Sequence, residues 1–188
     1  DLGDRQGDAD RSSHGVQPMS QPIVIEAHGI VKELGQGAGM VRALKGVSLT
    51  LQAGELTLLM GPSGSGKTTL LSILGCILAA TSGAVTVAGE STAGLDPEGL
   101  ADLRRRHIGF VFQSYNLFPT LTALENVRLA LDVRGASTAE TYIQAETALR
   151  EVGLGHRLSS HPRNMSGGEQ QRVAVARALA GDPSVILA

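Results

Sequence analysis

A single cysteine, Cys76, stands in 188 residues, which excludes a disulfide framework and a Cys-x-x-Cys zinc site. Its apolar neighbours read it as a packed core thiol. The five histidines show no metal-ligand spacing. No apolar run approaches the ~20 residues of a membrane span, and the acidic, polar N-terminus is unlike a secretory signal. A net charge of −2 gives no general pull toward nucleic acid. The one basic run, Arg104-Arg105-Arg106-His107, lacks interleaved aromatics and reads as a solvated helix end. What remains is a chain with 42% apolar residues, room for one α/β domain or most of a larger one. Any membrane role is expected to come through a partner.

The chain divides into a polar tail and one patterned region. Residues 1–18 carry few large apolar groups and many Gly, Asp and Ser, so a disordered tail is expected through residue 20. Met19 is the first methionine and the expected natural start. Runs of β type cover residues 23–27, 41–51 and 55–60, with a flexible loop at Gly35-Gln36-Gly37-Ala38-Gly39. A short strand is expected at 84–88, a polar helix at 96–106 and a buried strand at 108–112. From Thr120 to Leu158 the pattern is helical. Thr122-x-x-Glu125 and Ser137-x-x-Glu140 each make a capping box that opens an amphipathic run. Another helix ends near Gly181-Asp182-Pro183, and Val185-Ile186-Leu187-Ala188 enters a final buried strand.

The strongest local pattern is Gly61-Pro62-Ser63-Gly64-Ser65-Gly66-Lys67-Thr68. It matches G-x-x-x-x-G-K-[ST], the phosphate-cradling P-loop, without a mismatch. The apolar run at 56–60 is expected to be a buried strand before it, and Thr69-Leu70-Leu71-Ser72-Ile73-Leu74 a helix after it. Glycines let successive N–H groups turn inward toward phosphate oxygens. The helix N-terminus adds free amides and partial positive charge. Residues 61–69, from Gly61 to Thr69, are therefore the candidate nucleotide cradle. Lys67 would reach the β/γ-phosphates and the Thr68 hydroxyl would hold Mg²⁺.

A second segment, Asn164-Met165-Ser166-Gly167-Gly168-Glu169-Gln170-Gln171-Arg172, opens another helix. Ser166 and Glu169 form a capping box, but Gly167 and Gly168 each cost about 1 kcal/mol inside a helix. They make sense where a phosphate approaches a helix N-terminus closely.

Together these residues resemble the ATP-binding subunits of ABC transporters. Met165-Ser166-Gly167-Gly168-Glu169-Gln170 is similar to that family's signature motif, Gln113 after Phe110-Val111-Phe112 to its Q-loop, and residues 185–188 to the start of its Walker B strand. Ala43-Leu44-Lys45-Gly46-Val47-Ser48-Leu49, Ile73-Leu74-Gly75-Cys76, Ile108-Gly109-Phe110-Val111-Phe112-Gln113 and Leu121-Thr122-Ala123-Leu124-Glu125-Asn126-Val127 resemble the group serving macrolide exporters and lipoprotein-release machinery.

The resemblance implies an α/β fold: a RecA-like P-loop NTPase core with an antiparallel β-subdomain and an inserted helical subdomain at about 119–164. Residues 21–188 would be a partial ATP-binding domain, truncated at the start of the Walker B strand. It also implies a head-to-tail homodimer that binds ATP and Mg²⁺. Each ATP would lie between one subunit's P-loop and the other's Ser166, Gly167, Gly168 and Glu169. Lys67, Gln113 and, in trans, Ser166 are the implied catalytic residues, and Thr68 and Gln113 the implied Mg²⁺ ligands. The implied partner is an integral-membrane permease with a periplasmic domain, which places the chain peripherally on the cytoplasmic face of the inner membrane. The loop Ser114-Tyr115-Asn116-Leu117-Phe118-Pro119 and the helical insert would form the groove for that permease.

Two departures stand out. The family's adenine-stacking aromatic falls near position 34, where this chain has Leu34; aliphatic packing with Val41 is expected to cover the base less tightly. The family's acidic pair, including the general base, would follow Ala188, so these 188 residues are expected to lack turnover. A chromosome or DNA-repair ATPase is the alternative, but those proteins separate the motifs by a long coiled coil. Here 52 residues without a heptad run lie between Gln113 and Ser166.

Overall fold

The computed structural model describes residues 21–135 and 137–188. The expected tail and the start at Met19 lie outside the described residues. Strands β1 (Ile23–Leu34) and β2 (Val41–Gln52) form a long antiparallel hairpin. β1 runs past the expected residue 27 because its second half pairs too, as far as Leu34 opposite Val41. The loop between them holds a turn of 3₁₀-helix at Gly37–Gly39. Strand β3 (Ser82–Val87) pairs antiparallel with the other edge of β1, and the short β4 (Glu90–Ser91) completes the order β2-β1-β3-β4.

Helix α1 (Lys67–Leu74) follows the P-loop and buries Leu70, Ile73 and Leu74. Those side chains join Ile25, Ile30, Leu44, Val85 and Val87 in one core. Cys76 lies in that core as expected, and burial pushes its thiol up to about 11 against the opposing charge of Arg104. Helix α2 (Pro97–His107) begins with Asp96, whose Oδ1 accepts from the Gly99 amide at 2.8 Å, and with Pro97 at its first turn.

The basic run closes α2 with Arg105 and Arg106 exposed, as expected, and its side chains are also paired. Arg104 donates to the Cys76 carbonyl at 2.6 Å. Arg105 and Arg106 both pair with Asp102. Arg106 and His107 also reach Glu90 on β4. Those hydrogen bonds hold the Glu90 carboxyl down at about 2. The run thus ties the helix to the edge of the sheet.

After α2, β5 (Ile108–Phe110) pairs in parallel with β6 (Val185–Leu187), aligning Ile108 with Val185 and Phe110 with Leu187. The expected strand at 55–60 is absent. Leu56, Leu58 and Met60 are 87%, 73% and 83% exposed, and no described strand pairs with that run. Its apolar composition suits a buried strand, but a strand forms only beside a hydrogen-bonded neighbour. Composition alone could not show that the neighbour is missing among the described residues.

The third unit is helical. Helices α3 (Ala123–Asp132), α4 (Thr138–Glu151) and α5 (Gly167–Leu179) each start in a complete capping box, set by Thr122 with Glu125, Ser137 with Glu140, and Ser166 with Glu169. Val127, Leu131, Ala145, Leu149, Leu154, Met165 and Val173 form a second core between them. Arg134, just past α3, donates to the carbonyls of Gly181 and Ile108, which ties this unit to β5.

Asn126 organises the entry to α3. It is fully buried. Its Oδ1 accepts from the Phe118 amide at 2.7 Å, and its Nδ2 donates to the carbonyls of Phe118, Leu121 and Thr122. One amide therefore satisfies a whole turn of irregular backbone that has no ladder of its own. Asn126→Leu keeps the volume but strips the Phe118 amide and the Leu121 carbonyl of these partners. It should cost about 2–4 kcal/mol of unfolding free energy. Urea denaturation followed by circular dichroism measures this, and a loss below about 1 kcal/mol would show that the loop is held by something else.

Candidate phosphate-binding site

The P-loop makes a tight turn. Ser65 donates from its amide to the Pro62 carbonyl at 3.3 Å, and Leu70 continues into α1 by donating to Gly66 at 2.8 Å. Gly66 is the N-cap of α1, with φ +87° in the left-handed region. A Cβ there would also come within 2.7 Å of the Ala43 carbonyl and 2.9 Å of a Leu44 methyl. Glycine is required on both counts. The same contacts seat the loop against β2, so the hairpin and the cradle share one wall.

Lys67 is half-buried, and its Nζ donates to the loop's own carbonyls, Gly61 at 2.7 Å and Pro62 at 2.8 Å. The ammonium thus closes the loop on itself, with Thr68 and Thr69 in the first turn of the helix behind it. Gly66 has no side chain to cap that turn, so its first amides remain available to an anion. Residues Ser63 to Thr69 line a cavity of about 860 Å³ together with Leu34, Val41, Ala43, Leu44 and Val47. Arg42 and Lys45 line it too, and no acidic residue does. The donor set is cationic and amide-rich, which suits a polyphosphate.

Gln113, Ser166, Gly167, Gly168 and Glu169 do not line this cavity. Gln113 is exposed just after β5, where Phe110 and Phe112 stack with ring centres 4.7 Å apart. Ser166 is an exposed N-cap. Its hydroxyl and amide both donate to the Glu169 carboxylate, at 2.9 and 2.8 Å. These bonds from Ser166, with Arg157 nearby, hold the Glu169 carboxyl below its usual range. The amides of Gly167 and Gly168 have no intrahelical acceptor. A Cβ at Gly167 would meet nothing within 4 Å, and one at Gly168 only Arg172 at 3.9 Å. Among the described residues nothing therefore requires glycine at either position.

The sequence reading missed Arg177. Tyr115 and Asn116, two residues beyond Gln113, both take left-handed backbone at φ 60° and 47°. Arg177 on α5 donates to both carbonyls, at 2.7 and 2.6 Å. Burial holds the pKa of its guanidinium below its ordinary value. It clamps the strained turn after Gln113 to the helix that begins at Ser166. The available signal was an arginine set among Val173, Ala174, Ala176 and Ala178, all buried on the same helix.

Comparison with known proteins assigns this arrangement. Residues 44–188 match the family model described as ABC transporter. An uncharacterised ABC transporter ATP-binding protein, YbbA, from Escherichia coli K12 is 48% identical over 170 residues, 90% of this chain and 75% of that one. A macrolide export ATP-binding/permease protein, MacB, from Hyphomonas neptunium is 46% identical over 89% of this chain, which spans 26% of that longer protein. Among solved structures, the dimeric post-hydrolysis state of the ATP-binding cassette MJ0796 bound to ADP and Pi is 43% identical. It has a TM-score of 0.78 and covers 86% of this chain and 72% of its own. The fold is that of these ATPase cassettes, RecA-like with an added antiparallel sheet, and the chain belongs to the ABC transporter family of ATP-binding proteins.

Proposed function

We propose that this chain is the ATP-binding subunit of an exporter or lipid- or lipoprotein-releasing transporter, working as a head-to-tail dimer beneath a separate permease. The observation that carries the nucleotide part is the cavity in which Ser63 to Thr69 meet the Leu34–Val41 end of the hairpin. The amides of the loop and of the first turn of α1 bind the phosphates, and Lys67 exchanges its two loop carbonyls for β/γ-oxygens. Thr68 in this cavity would offer Mg²⁺ a neutral hard oxygen beside the phosphates, and the Gln113 amide, which lies outside the cavity, would join it only if brought to the bound nucleotide. When bound, that ion neutralises charge on the β- and γ-phosphates.

The dimer reading is supported by Gly167 and Gly168, whose cost to α5 has no reason among the described residues. A second subunit's phosphate brought against them supplies one. Support for the permease comes from a groove of about 600 Å³ lined by Ile77, Arg104, Phe112, Phe118, Asn126 and Val133, among others. Phe118 and Val133 are both at least half exposed. A groove of this kind suits a short helix from the permease, with the strained turn after Gln113 at its side. No described helix is long and apolar enough to cross a membrane. Attachment to the cytoplasmic face through such a partner follows from the same reading.

Lys67→Ala should weaken Mg-ATP binding at least a hundredfold, because the phosphates lose their main counter-charge. Unchanged affinity by calorimetry would refute the P-loop assignment. No acidic side chain lines the cavity to orient a water, so the 188-residue chain should release no phosphate above background. Turnover matching that of a longer chain, extended to the length of the relatives, would place the catalytic carboxylate within these residues. In that longer chain, Ser166→Ala and Gly168→Asp should leave monomer ATP binding intact and abolish ATP-driven dimerisation in sedimentation experiments. Loss of monomer binding in either variant would mean that Ser166 and Gly168 act on their own subunit's nucleotide.

A further inference from the structure

Glu169 places a negative charge beside the helix start that the proposed dimer turns toward a phosphate. Its carboxylate folds back over the first turn of α5. One oxygen accepts from the Ser166 amide at 2.8 Å and from the Ser166 hydroxyl at 2.9 Å. The other accepts from Nε of Arg157 at 3.0 Å. The Glu169 side chain is only 15% exposed, so water screens little of its charge. The bonds from Ser166, with Arg157 nearby, keep the group ionised at neutral pH.

Arg157 comes from outside the helix. It sits in a turn between α4 and α5, where its amide donates to the Leu154 carbonyl and its carbonyl accepts from the Ser160 amide, both at 2.9 Å. Two more backbone bonds fasten that segment to the start of α3. The Ala123 amide donates to the Ser160 carbonyl at 2.8 Å, and the Leu124 amide to the Leu158 carbonyl at 3.0 Å. The guanidinium is therefore anchored independently of α5.

The Ser166 hydroxyl has one proton to donate, and here Glu169 receives it. A phosphate arriving at Gly167 and Gly168 can take that proton only if the carboxylate gives it up. A bare carboxylate so close would also repel the phosphate. An arginine fixed on the other oxygen answers both demands. It is the partner that the carboxylate keeps, and it offsets the charge that the phosphate would meet. We infer that Arg157 is a positioning residue for the dimer site, pairing with Glu169 so that the Ser166 hydroxyl is free for a second subunit's phosphate. This inference rests on the head-to-tail dimer proposed above and deepens it with a residue outside the Met165–Gln170 segment.

The test is a double-mutant cycle in the longer chain, extended to the length of the relatives, with dimerisation at saturating Mg-ATP measured by sedimentation. Arg157→Gln should raise the dimer dissociation constant about tenfold or more, because Glu169 then faces the phosphate unpaired. Glu169→Gln removes the charge and keeps a capping box. Adding Arg157→Gln to that variant should change its dimer constant by less than about twofold. A loss as large in the Glu169→Gln background as in the unaltered chain would show that Arg157 only braces the fold, and would overturn the inference. So would an Arg157→Gln protein, folded by circular dichroism, that dimerises as tightly as the unaltered chain. Failure of the dimer reading looks different: the unaltered longer chain would stay monomeric at saturating Mg-ATP, and the inference would fall with it.

Discussion

A cradle of backbone amides can persist only where no side chain fills it and no carbonyl points into it. Gly66 meets the first condition. Its left-handed φ turns the loop into α1, and its missing Cβ lets the loop settle within van der Waals reach of Ala43 and Leu44. Lys67 then ties back the carbonyls of Gly61 and Pro62, which would otherwise face the anion. The position of the hairpin, the start of the helix and the shape of the cavity all depend on that one close approach. Because β2 is the surface approached, its first residues are also brought to the cavity, and Val41 and Leu34 become part of the site without belonging to any phosphate motif.

Three buried or half-buried polar side chains hold irregular backbone within and beside the helical unit. Asn126 satisfies the irregular backbone leading into α3. Arg134 reaches from the end of α3 to the carbonyls beside β5. Arg177 holds the left-handed turn after Gln113. Each bonds backbone groups rather than another side chain, and the two arginines each reach a separate part of the chain. A shift of α5, which begins at Ser166, would therefore be felt at the Gln113 turn through Arg177. Left-handed backbone at two successive non-glycine residues is costly, so that turn is maintained by the clamp and not by its own preference.

Local chemistry was the legible part. The three capping boxes, the helix after the Gly-rich loop and the polar helix opened by Asp96-Pro97 each depend on residues within a few positions of one another, and each appears in the structure. The run at 55–60 shows the limit. Leu56, Leu58 and Met60 have the composition of a buried strand yet lie exposed, because burial and pairing are supplied by other segments. The basic run at 104–107 ends a helix with two exposed arginines, as read, but its partners were not legible. Its charges look solvated in isolation, and only folding brings Glu90 and the Cys76 carbonyl beside them.

By itself the sequence determined where the chain turns and which helices begin where. These outcomes follow from glycine's freedom at positive φ and from side chains that cap the nearest free amides. Tertiary structure alone decided which distant groups share a space: Leu34 and Val41 with the P-loop, Arg177 with the Gln113 turn, and the charges of α2 with β4. Such meetings depend on strand pairing and core packing across tens of residues, and no short-range pattern encodes them.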